Sequence, residues 1–491
     1  MSTRIEGRKR WLSLYLLCAG VLMIVLDTTI VNVALPSIQA DLHFGKSLVW
    51  VVNAYLLTYG GFLLLGGRLG DLYGRRRLFL LGITLFSLAS LACGLAGSQQ
   101  MLIAARAVQG LGGAVVTAVA LSLIMNLFSE PDERARAMGV YSFVCASGGS
   151  IGVLAGGFLT STLSWHWVFL VNLPIGAVVF AACRALLPAG CVDSATVRLD
   201  VAGAATVTAA LMLAVYAIVN GNEAGWTSAR TAGLLGAAVL LLAAFLTIEA
   251  HVRDPLMPLR LFRLRNVATA DAVAVLWAAA MFAWFFISAL YLQLVLGYSA
   301  MQVGLAYLPA NLIMAAFSLG LSARIVMRFG LRRPLALGLL LAAGGLALFA
   351  RAPLDARFAL DVLPAMTLLG LGAGMALNPV LLAAMSDVAP EESGLASGVV
   401  NTSFMMGGAL GLAVLASLAA ARTDALRAHG ADPVAALAGG YHAAFLVGAA
   451  FAATACLLGA ALIRSAPSIS GSRASGQSPS SSKSIGGVKP V

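Results

Sequence analysis

The stretch Ser13 to Val33, SLYLLCAGVLMIVLDTTIVNV, decides the fold. It is apolar and long enough to cross a bilayer, which takes about 20 residues of helix. It nevertheless holds a carboxylate, Asp27, in its second half, followed by Thr28, Thr29, Asn32 and a closing Pro36. An ionisable group at that depth costs ~3 kcal/mol or more. A helix keeps one where it faces a watery cavity, a partner or a proton, so Asp27 marks an ion or substrate path; an Asp that snorkels to the outer interface is the alternative.

The rest of the chain needs the same solvent. Hydrophobic residues make up 60% and charged residues 10%, with a mean hydropathy of +0.93, whereas soluble domains carry about 25% charged residues. In lipid every backbone polar group is satisfied internally, so the spans are helices. Strand-type alternation is absent, which argues against an outer-membrane barrel. Apolar runs predict spans at 13–35, 48–68, 78–97, 102–127, 137–160 and 167–187, then 200–220 and 231–250. Six more follow at 268–295, 303–327, 334–350, 360–385, 394–419 and 442–464. The run at 334–350 is the shortest. The count is about fourteen, an even number that puts both termini on one side.

Basic residues choose the side. Arg4 to Arg10, Arg75 to Arg77, Arg134, Arg136, Arg184, Arg198, the cluster from Arg253 to Arg265 and the cluster from Arg324 to Arg333 share one side with the tail. The other side receives Lys46, Arg230, Arg351, Arg357, Arg422 and Arg427. The positive-inside rule then makes both termini cytoplasmic. This distribution also accounts for the net charge of +11, with no need for a nucleic-acid surface. The basic start and apolar run resemble a signal peptide, but no A-x-A site follows, so the segment reads as a retained span. The tail from 465 is rich in Ser, Gly and Lys and reads as disordered. Cys18, Cys93, Cys145, Cys183, Cys191 and Cys456 form no C-x-x-C pair and suggest neither metal nor disulfide. The histidines are scattered and no nucleophile–base pair stands out, so no enzyme is expected.

An internal repeat divides the chain. Arg68, Gly74, Arg76 and Arg77 follow the second span; Arg324, Gly330, Arg332 and Arg333 follow the tenth at identical spacing. Gly110-Leu111-Gly112-Gly113 of the fourth span likewise matches Gly370-Leu371-Gly372-Ala373 of the twelfth. The expected organisation is a short cytoplasmic N-terminus (1–12), a six-helix bundle (13–187), two inserted helices with linkers (188–267), a second six-helix bundle (268–464) and the tail (465–491). Two like-oriented halves suit transporters that rock around a central site.

Three motifs carry the chemistry. After the second span, Gly67, Asp71, Gly74, Arg75 and Arg76 sit in a Gly-x3-Gly frame; close helix packing there, with an embedded acid, suits a conformational latch. Topogenic charge alone is the alternative. In the fourth span, Arg106 and Gln109 precede the glycine run. A buried Arg never releases a proton, but beside a carboxylate it governs when that carboxylate binds one; a structural Arg held by backbone carbonyls is the alternative. In the fifth span, Gly148, Gly152 and Gly156, with Gly157 beside them, form a stripe along which helices approach and slide.

These residues together resemble the major facilitator superfamily, and within it the fourteen-span drug:proton antiporters of the EmrB/QacA type. Leu26-Asp27-Thr28-Thr29-Ile30-Val31-Asn32-Val33-Ala34-Leu35-Pro36 matches that group's first-span motif, Gly67 to Arg76 the superfamily loop motif, and Arg106, Gln109 and Gly110 the fourth-span motif. Trp165 to Gly176 resembles the sixth-span signature, and Tyr291-Leu292-Gln293 with Gly297-Tyr298 the end of the ninth. Two positions depart from the pattern: Val153 stands where a Pro is usual, and His166 where an Arg is usual.

The resemblance implies an all-α membrane protein with the major facilitator fold, exporting small lipophilic substrates against protons by alternating access. Asp27 would carry the proton and Arg106 would tune it. No cofactor or metal is implied, since the proton gradient supplies the energy; lipid surrounds the protein, and in a two-membrane bacterium a periplasmic adaptor is a further partner. Candidate cavity residues are Asn32, Tyr55, Gln109, Trp284, Gln293, Asn311 and Asn401. The tenth and thirteenth spans hold no acid, and Asp271 and Asp361 lie near helix starts, where an interfacial position is expected. Dications are therefore disfavoured as substrates. A dedicated exporter of one natural product, and a membrane sensor or scaffold that no longer transports, remain open.

Overall fold

The computed structural model describes residues 2–128, 130–187, 200–253, 255–388 and 393–463. The linker around Cys191 and the Ser-rich tail lie outside the described residues, as do the side chains of Arg68 and Asp71. The N-terminal helices are α1 (Ser2–Asp41), α2 (Trp50–Tyr73), α3 (Arg75–Gly94), α4 (Gln99–Leu127), α5 (Pro131–Thr162) and α6 (Trp167–Leu186). Then come α7 (Val201–Ala224) and α8 (Ala229–His251). The C-terminal six are α9 (Arg265–Leu290), α10 (Ala300–Ala316), α11 (Arg332–Phe349), α12 (Leu363–Met385), α13 (Ser393–Ala428) and α14 (Pro433–Leu462).

Among the described residues, 12 helices are long and apolar enough to cross a membrane. They include α11, the shortest run in the sequence. The two that fall short are α5 and α10, whose apolar stretches cover Ile151–Thr162 and Ala300–Ala316. The first half of α5 carries the polar run Pro131 to Arg136. Beyond α10 the chain loosens into a wide turn at Phe317–Leu321, where Gly320 takes φ 115°, before Ser322–Phe329 completes the crossing.

Local chemistry sets the helix ends. Ser98 caps α4 by accepting from the Met101 N–H, Asp200 caps α7 through Gly203 N, and Ser299 with Gln302 forms a capping box on α10. Gly74 ends α2 at φ 90°, and Gly330 ends Ser322–Phe329 at φ 74°. Both lie in the left-handed region that a side chain disfavours. They are the two glycines that the sequence repeat places in register.

The other repeated glycines also do equivalent work. A Cβ on Gly110 of α4 would lie 2.4 Å from the Tyr55 carbonyl of α2, and one on Gly370 of α12 would lie 2.6 Å from the Ala310 carbonyl of α10. Gly112 meets Phe86 N of α3 at 2.7 Å, and Gly372 meets Ala342 N of α11 at 2.7 Å. Each glycine lets its helix reach the equivalent neighbour in its own half.

The N-terminal half packs α1 on α5 and α6, and α4 on α2 and α3. The C-terminal half packs α9 on α13 and α14, and α12 on α10 and α11. The halves meet along two seams, α2 with α13 and α5 with α10. The inserted α7 lies against both α2 and α13, and α8 lies behind α7 with most of its side chains exposed or half-buried. Asn222 of α7 donates to the Ser417 carbonyl of α13 at 2.8 Å, and the Ser417 hydroxyl returns a bond to the Ile218 carbonyl at 3.0 Å. The insert is thereby tied to the C-terminal half.

Candidate functional site

Asp27 lies at the centre of the N-terminal bundle, 0% exposed. Its carboxylate collects three donors. Arg106 Nη1 of α4 reaches Oδ2 at 2.5 Å; Gln109 Nε2 of α4 and Asn172 Nδ2 of α6 reach Oδ1 at 2.8 and 2.9 Å. This set fits an acceptor-only group. Arg106 is also buried, 1% exposed. Its Nε donates to the Val51 carbonyl at 2.8 Å, its Nη1 to Gln109 Oε1 at 2.6 Å, and its guanidinium lies 4.3 Å from the Tyr55 ring centroid. A desolvated cation over an aromatic face gains ~2 kcal/mol. The α4 register produces this: Arg106 and Gln109 stand three apart on one helix face, and Gly110 brings that face against α2.

The sequence reading brought Asp27, Arg106, Gln109 and Tyr55 forward, and the fold assembles them. It missed two members of the cluster. Ser90 of α3 accepts from Gln109 Nε2 at 2.8 Å and from Asn172 Nδ2 at 3.3 Å. Asn172 was present in the quoted sixth-span signature, yet only its place in the fold shows that it reaches Asp27. Ser90 carries no sequence signal, being one serine among apolar residues.

The remaining cavity candidates do not converge. Asn32 and Asn401 donate to the Thr28 and Ser397 carbonyls of their own helices at 3.2 and 2.9 Å. Trp284 is 1% exposed and packs against Phe285 and Tyr307 inside the C-terminal half, and Asn311 is 3% exposed on α10. Gln293 donates to the Val33 carbonyl at 3.1 Å, tying the end of α9 to α1. A cavity of about 280 Å³ instead lies at the end opposite the termini, lined by Gln39, Lys46, Ser417, Thr423, Asp424 and Tyr441 among others, and by none of the seven candidates. Within its lining Lys46 pairs with Asp424 at 2.8 Å, and Lys46 also reaches Glu223 of α7 at 3.6 Å.

Asp271, near the start of α9, is 4% exposed, because the α9 face that carries it packs on α13. Asp361 does sit at a helix start, where its Oδ2 accepts from Arg357 N at 2.8 Å. The expectation against dications rested on a C-terminal half without a buried acid, and Asp271 is such an acid.

The fifth-span glycines split into two roles. Gly148, Gly152 and Gly156 pack α5 on α1: Cβ atoms there would meet Val25 Cγ1 at 2.8 Å, the Leu26 carbonyl at 2.8 Å and the Ile30 carbonyl at 2.6 Å. Gly157 faces the other half, with the Ala300 carbonyl of α10 at 2.7 Å. Gly304 approaches the Val153 carbonyl at 3.0 Å on the same seam. Helix α5 runs unbroken through Val153, where the resemblance would have placed a Pro. The parallel stripe in the C-terminal half, Gly407 and Gly411 against Val275 and Ala279 of α9, was not singled out in the sequence.

Gly157→Val therefore forces the seam between the halves apart, because the obstructing atom is backbone. Overpacking costs about 1–3 kcal/mol, on the order of tenfold in the conformer ratio. Spin labels on Ser161 and Ser299 are expected to show a longer distance distribution in the variant. An unchanged distribution would place Gly157 outside the moving contact.

At the other end of α2, Gly70 lets the helix reach Val119 of α4, where a Cβ would lie 3.1 Å from Cγ2. The Gly67 position is looser, with Ala118 Cβ at 3.8 Å. Arg76 donates to the Arg184 carbonyl at the end of α6, capping an exposed helix terminus within the same half. The Gly70 and Arg76 contacts thus stay inside the N-terminal half; the Asp71 side chain lies outside the described residues.

Comparison with known proteins agrees with this architecture. The sequence profile of the Major Facilitator Superfamily matches residues 17–412. The chain belongs to that superfamily. Among its relatives, the puromycin resistance protein pur8 of Streptomyces alboniger is 41% identical, covering 92% of this chain and 90% of that protein. The cephamycin export protein CmcT of Amycolatopsis lactamdurans is 39% identical over 84% of this chain and 85% of its own length. The multidrug resistance protein Stp of Mycobacterium tuberculosis is 37% identical over 84% and 77%. Two solved transporter structures share the fold at low identity. A bacterial homologue of the lysosomal transporter Spinster, in an inward-facing state, superposes with TM-score 0.62 at 19% identity, covering 92% of this chain and 96% of that one. The nucleoside transporter NupG does so with TM-score 0.63 at 11% identity, covering 92% and 100%. With its many apolar helices, this superfamily member is a multi-pass membrane protein.

Proposed function

We propose that the protein exports small hydrophobic or amphiphilic compounds across the cytoplasmic membrane in exchange for protons, with both termini in the cytoplasm. The observation that carries the mechanism is the buried Asp27–Arg106 pair with its Gln109, Asn172 and Ser90 frame. A proton delivered to Asp27 removes the negative charge that Arg106 Nη1 and the two carboxamides hold. Arg106 is then left with the Val51 carbonyl, Gln109 and the Tyr55 face, and the cluster rearranges. That rearrangement is adjacent to α1, the helix on which α5 packs through Gly148, Gly152 and Gly156. Because α5 also meets α10 at Gly157, a shift of α1 reaches the seam between the halves. Proton and substrate exchange then follow from a bias between conformers, as population shift requires.

The relatives named for multidrug resistance and for resistance to or export of single antibiotics support efflux. They leave a broad and a dedicated exporter as two forms of the reading. A sensor or scaffold would have no use for a buried ion pair, which is costly to maintain. The deciding experiment expresses the chain in an efflux-deficient host and follows accumulation of a panel that includes puromycin and a lipophilic cation dye. Lowered accumulation that an uncoupler restores supports proton-driven export; accumulation unchanged by expression contradicts it. Protection against one compound in the panel selects the dedicated form.

Asp71→Asn is expected to lower turnover more than apparent affinity, since the residue lies far from Asp27 along α2 and acts on conformer populations. Initial-rate measurement over a substrate range checks this, and an unchanged maximal rate at matched expression would return Asp71 to a topological role.

A further inference from the structure

Among the described residues, Asp271 is the one acid of the C-terminal half that is buried with no charged partner. It is 4% exposed, with a serine hydroxyl as its polar neighbour. Helices α9 and α13 run in parallel register, Val275 against Gly407 and Ala279 against Gly411. This register sets Asp271 beside Ser403, the polar group that bears on it. Among the described residues no charged side chain does so: at the start of α9, Arg265 donates to the Leu462 carbonyl at 3.0 Å, and Arg260 and Arg263 lie in the turn before it. On α1, Asp27 is committed to Arg106. On α13 the charges from Arg422 to Arg427 lie at the opposite end. On α14, His442 lies near Tyr291, also at that end. In the turn after α12, Asp387 is taken by Asn266. A carboxylate without a counter-charge in such surroundings is costly, and a neutral carboxylic acid avoids that cost.

Asp271 also borders the moving seam. Two residues after Ser403, Met405 packs on Gly60 of α2 in the other half, where a Cβ would lie 2.9 Å from Met405 Cβ. Parting of α2 from α13 brings water towards the Asp271–Ser403 pair. We propose that Asp271 is a second proton-carrying carboxylate, loaded while the α2–α13 seam is closed and emptied when that seam parts. It would give each half one protonatable acid, built differently: Asp27 inside a shell of donors, Asp271 in an apolar pocket. This deepens the proton-coupled reading and rests on it for its place in a transport cycle, but the loading itself is measured without transport.

The test is difference infrared spectroscopy on the purified full chain in lipid at neutral pH. The wild-type spectrum is expected to contain the carbonyl stretch of a neutral carboxylic acid that Asp271→Asn removes and Asp27→Asn retains. Identical spectra for wild type and Asp271→Asn would overturn the proposal. Gly60→Trp, which wedges the seam at Met405, is expected to abolish the same band in protein that retains its helical circular dichroism. A band undiminished in that folded variant would make Asp271 a fixed neutral residue and also overturn the proposal. Loss of proton-driven export with the band behaving as expected would contradict the transport reading alone.

Discussion

Asp27→Asn abolishes uphill transport driven by a pH difference while the protein still inserts and folds. The substitution keeps the shape and removes the group that exchanges a proton. One Asn oxygen still accepts from Gln109 or Asn172, but its amide faces a second donor where Oδ2 accepted from Arg106 at 2.5 Å. The guanidinium retains the Val51 carbonyl at 2.8 Å, Gln109 Oε1 at 2.6 Å and the Tyr55 face, so the helix bundle holds. Downhill exchange of substrate for substrate is expected to survive, because it needs the conformers without the proton. Reconstituted variant that still accumulates substrate under an imposed pH difference would remove Asp27 from the coupling step.

Arg106→Met produces the second large effect, in stability as well as transport. It leaves Asp27 buried opposite an apolar side chain, and removing one partner of a buried pair costs about 3–5 kcal/mol. The protein escapes that cost by keeping Asp27 protonated, which freezes the proton cycle. Transport at neutral pH is expected to fall on the order of a hundredfold, the equivalent of roughly 3 kcal/mol in a barrier. Removing both charges is far less disruptive than removing one. The Asp27→Asn/Arg106→Met double variant should therefore recover melting temperature relative to Arg106→Met while remaining inactive. Additive losses in melting temperature would show that the two residues do not act as a pair.

Much of this was legible in the chain because membrane solvent leaves few options. Apolar run length dictated the spans, and the repeat around Gly74 and Gly330 predicted the two halves that the backbone then realises with the same positive φ. The Asp27–Arg106 meeting was legible because a buried charge of each sign needs a partner. The five scattered cavity candidates show where such reading ends. Polar side chains on apolar helices satisfy themselves on the preceding turn, as Asn32 and Asn401 do, and Trp284 is consumed by packing. The burial of Asp271 was hidden for a related reason. Distance from a helix start does not reveal which face a residue occupies; only the α9–α13 register turns it towards Ser403. Ser90 and the cavity ion pair of Lys46 with Asp424 were invisible, since each depends on neighbours remote in sequence.

The central claim is that this chain couples export to protons through Asp27. The most direct measurement places purified wild-type protein in sealed liposomes, imposes a pH difference and follows a compound to which expression confers tolerance. A luminal pH dye is read at the same time. The account predicts uphill movement of the compound with matched dissipation of the pH difference, both abolished by Asp27→Asn and by an uncoupler. Uphill movement that persists in the Asp27→Asn liposomes, or compound movement with no proton movement in wild type, would contradict it.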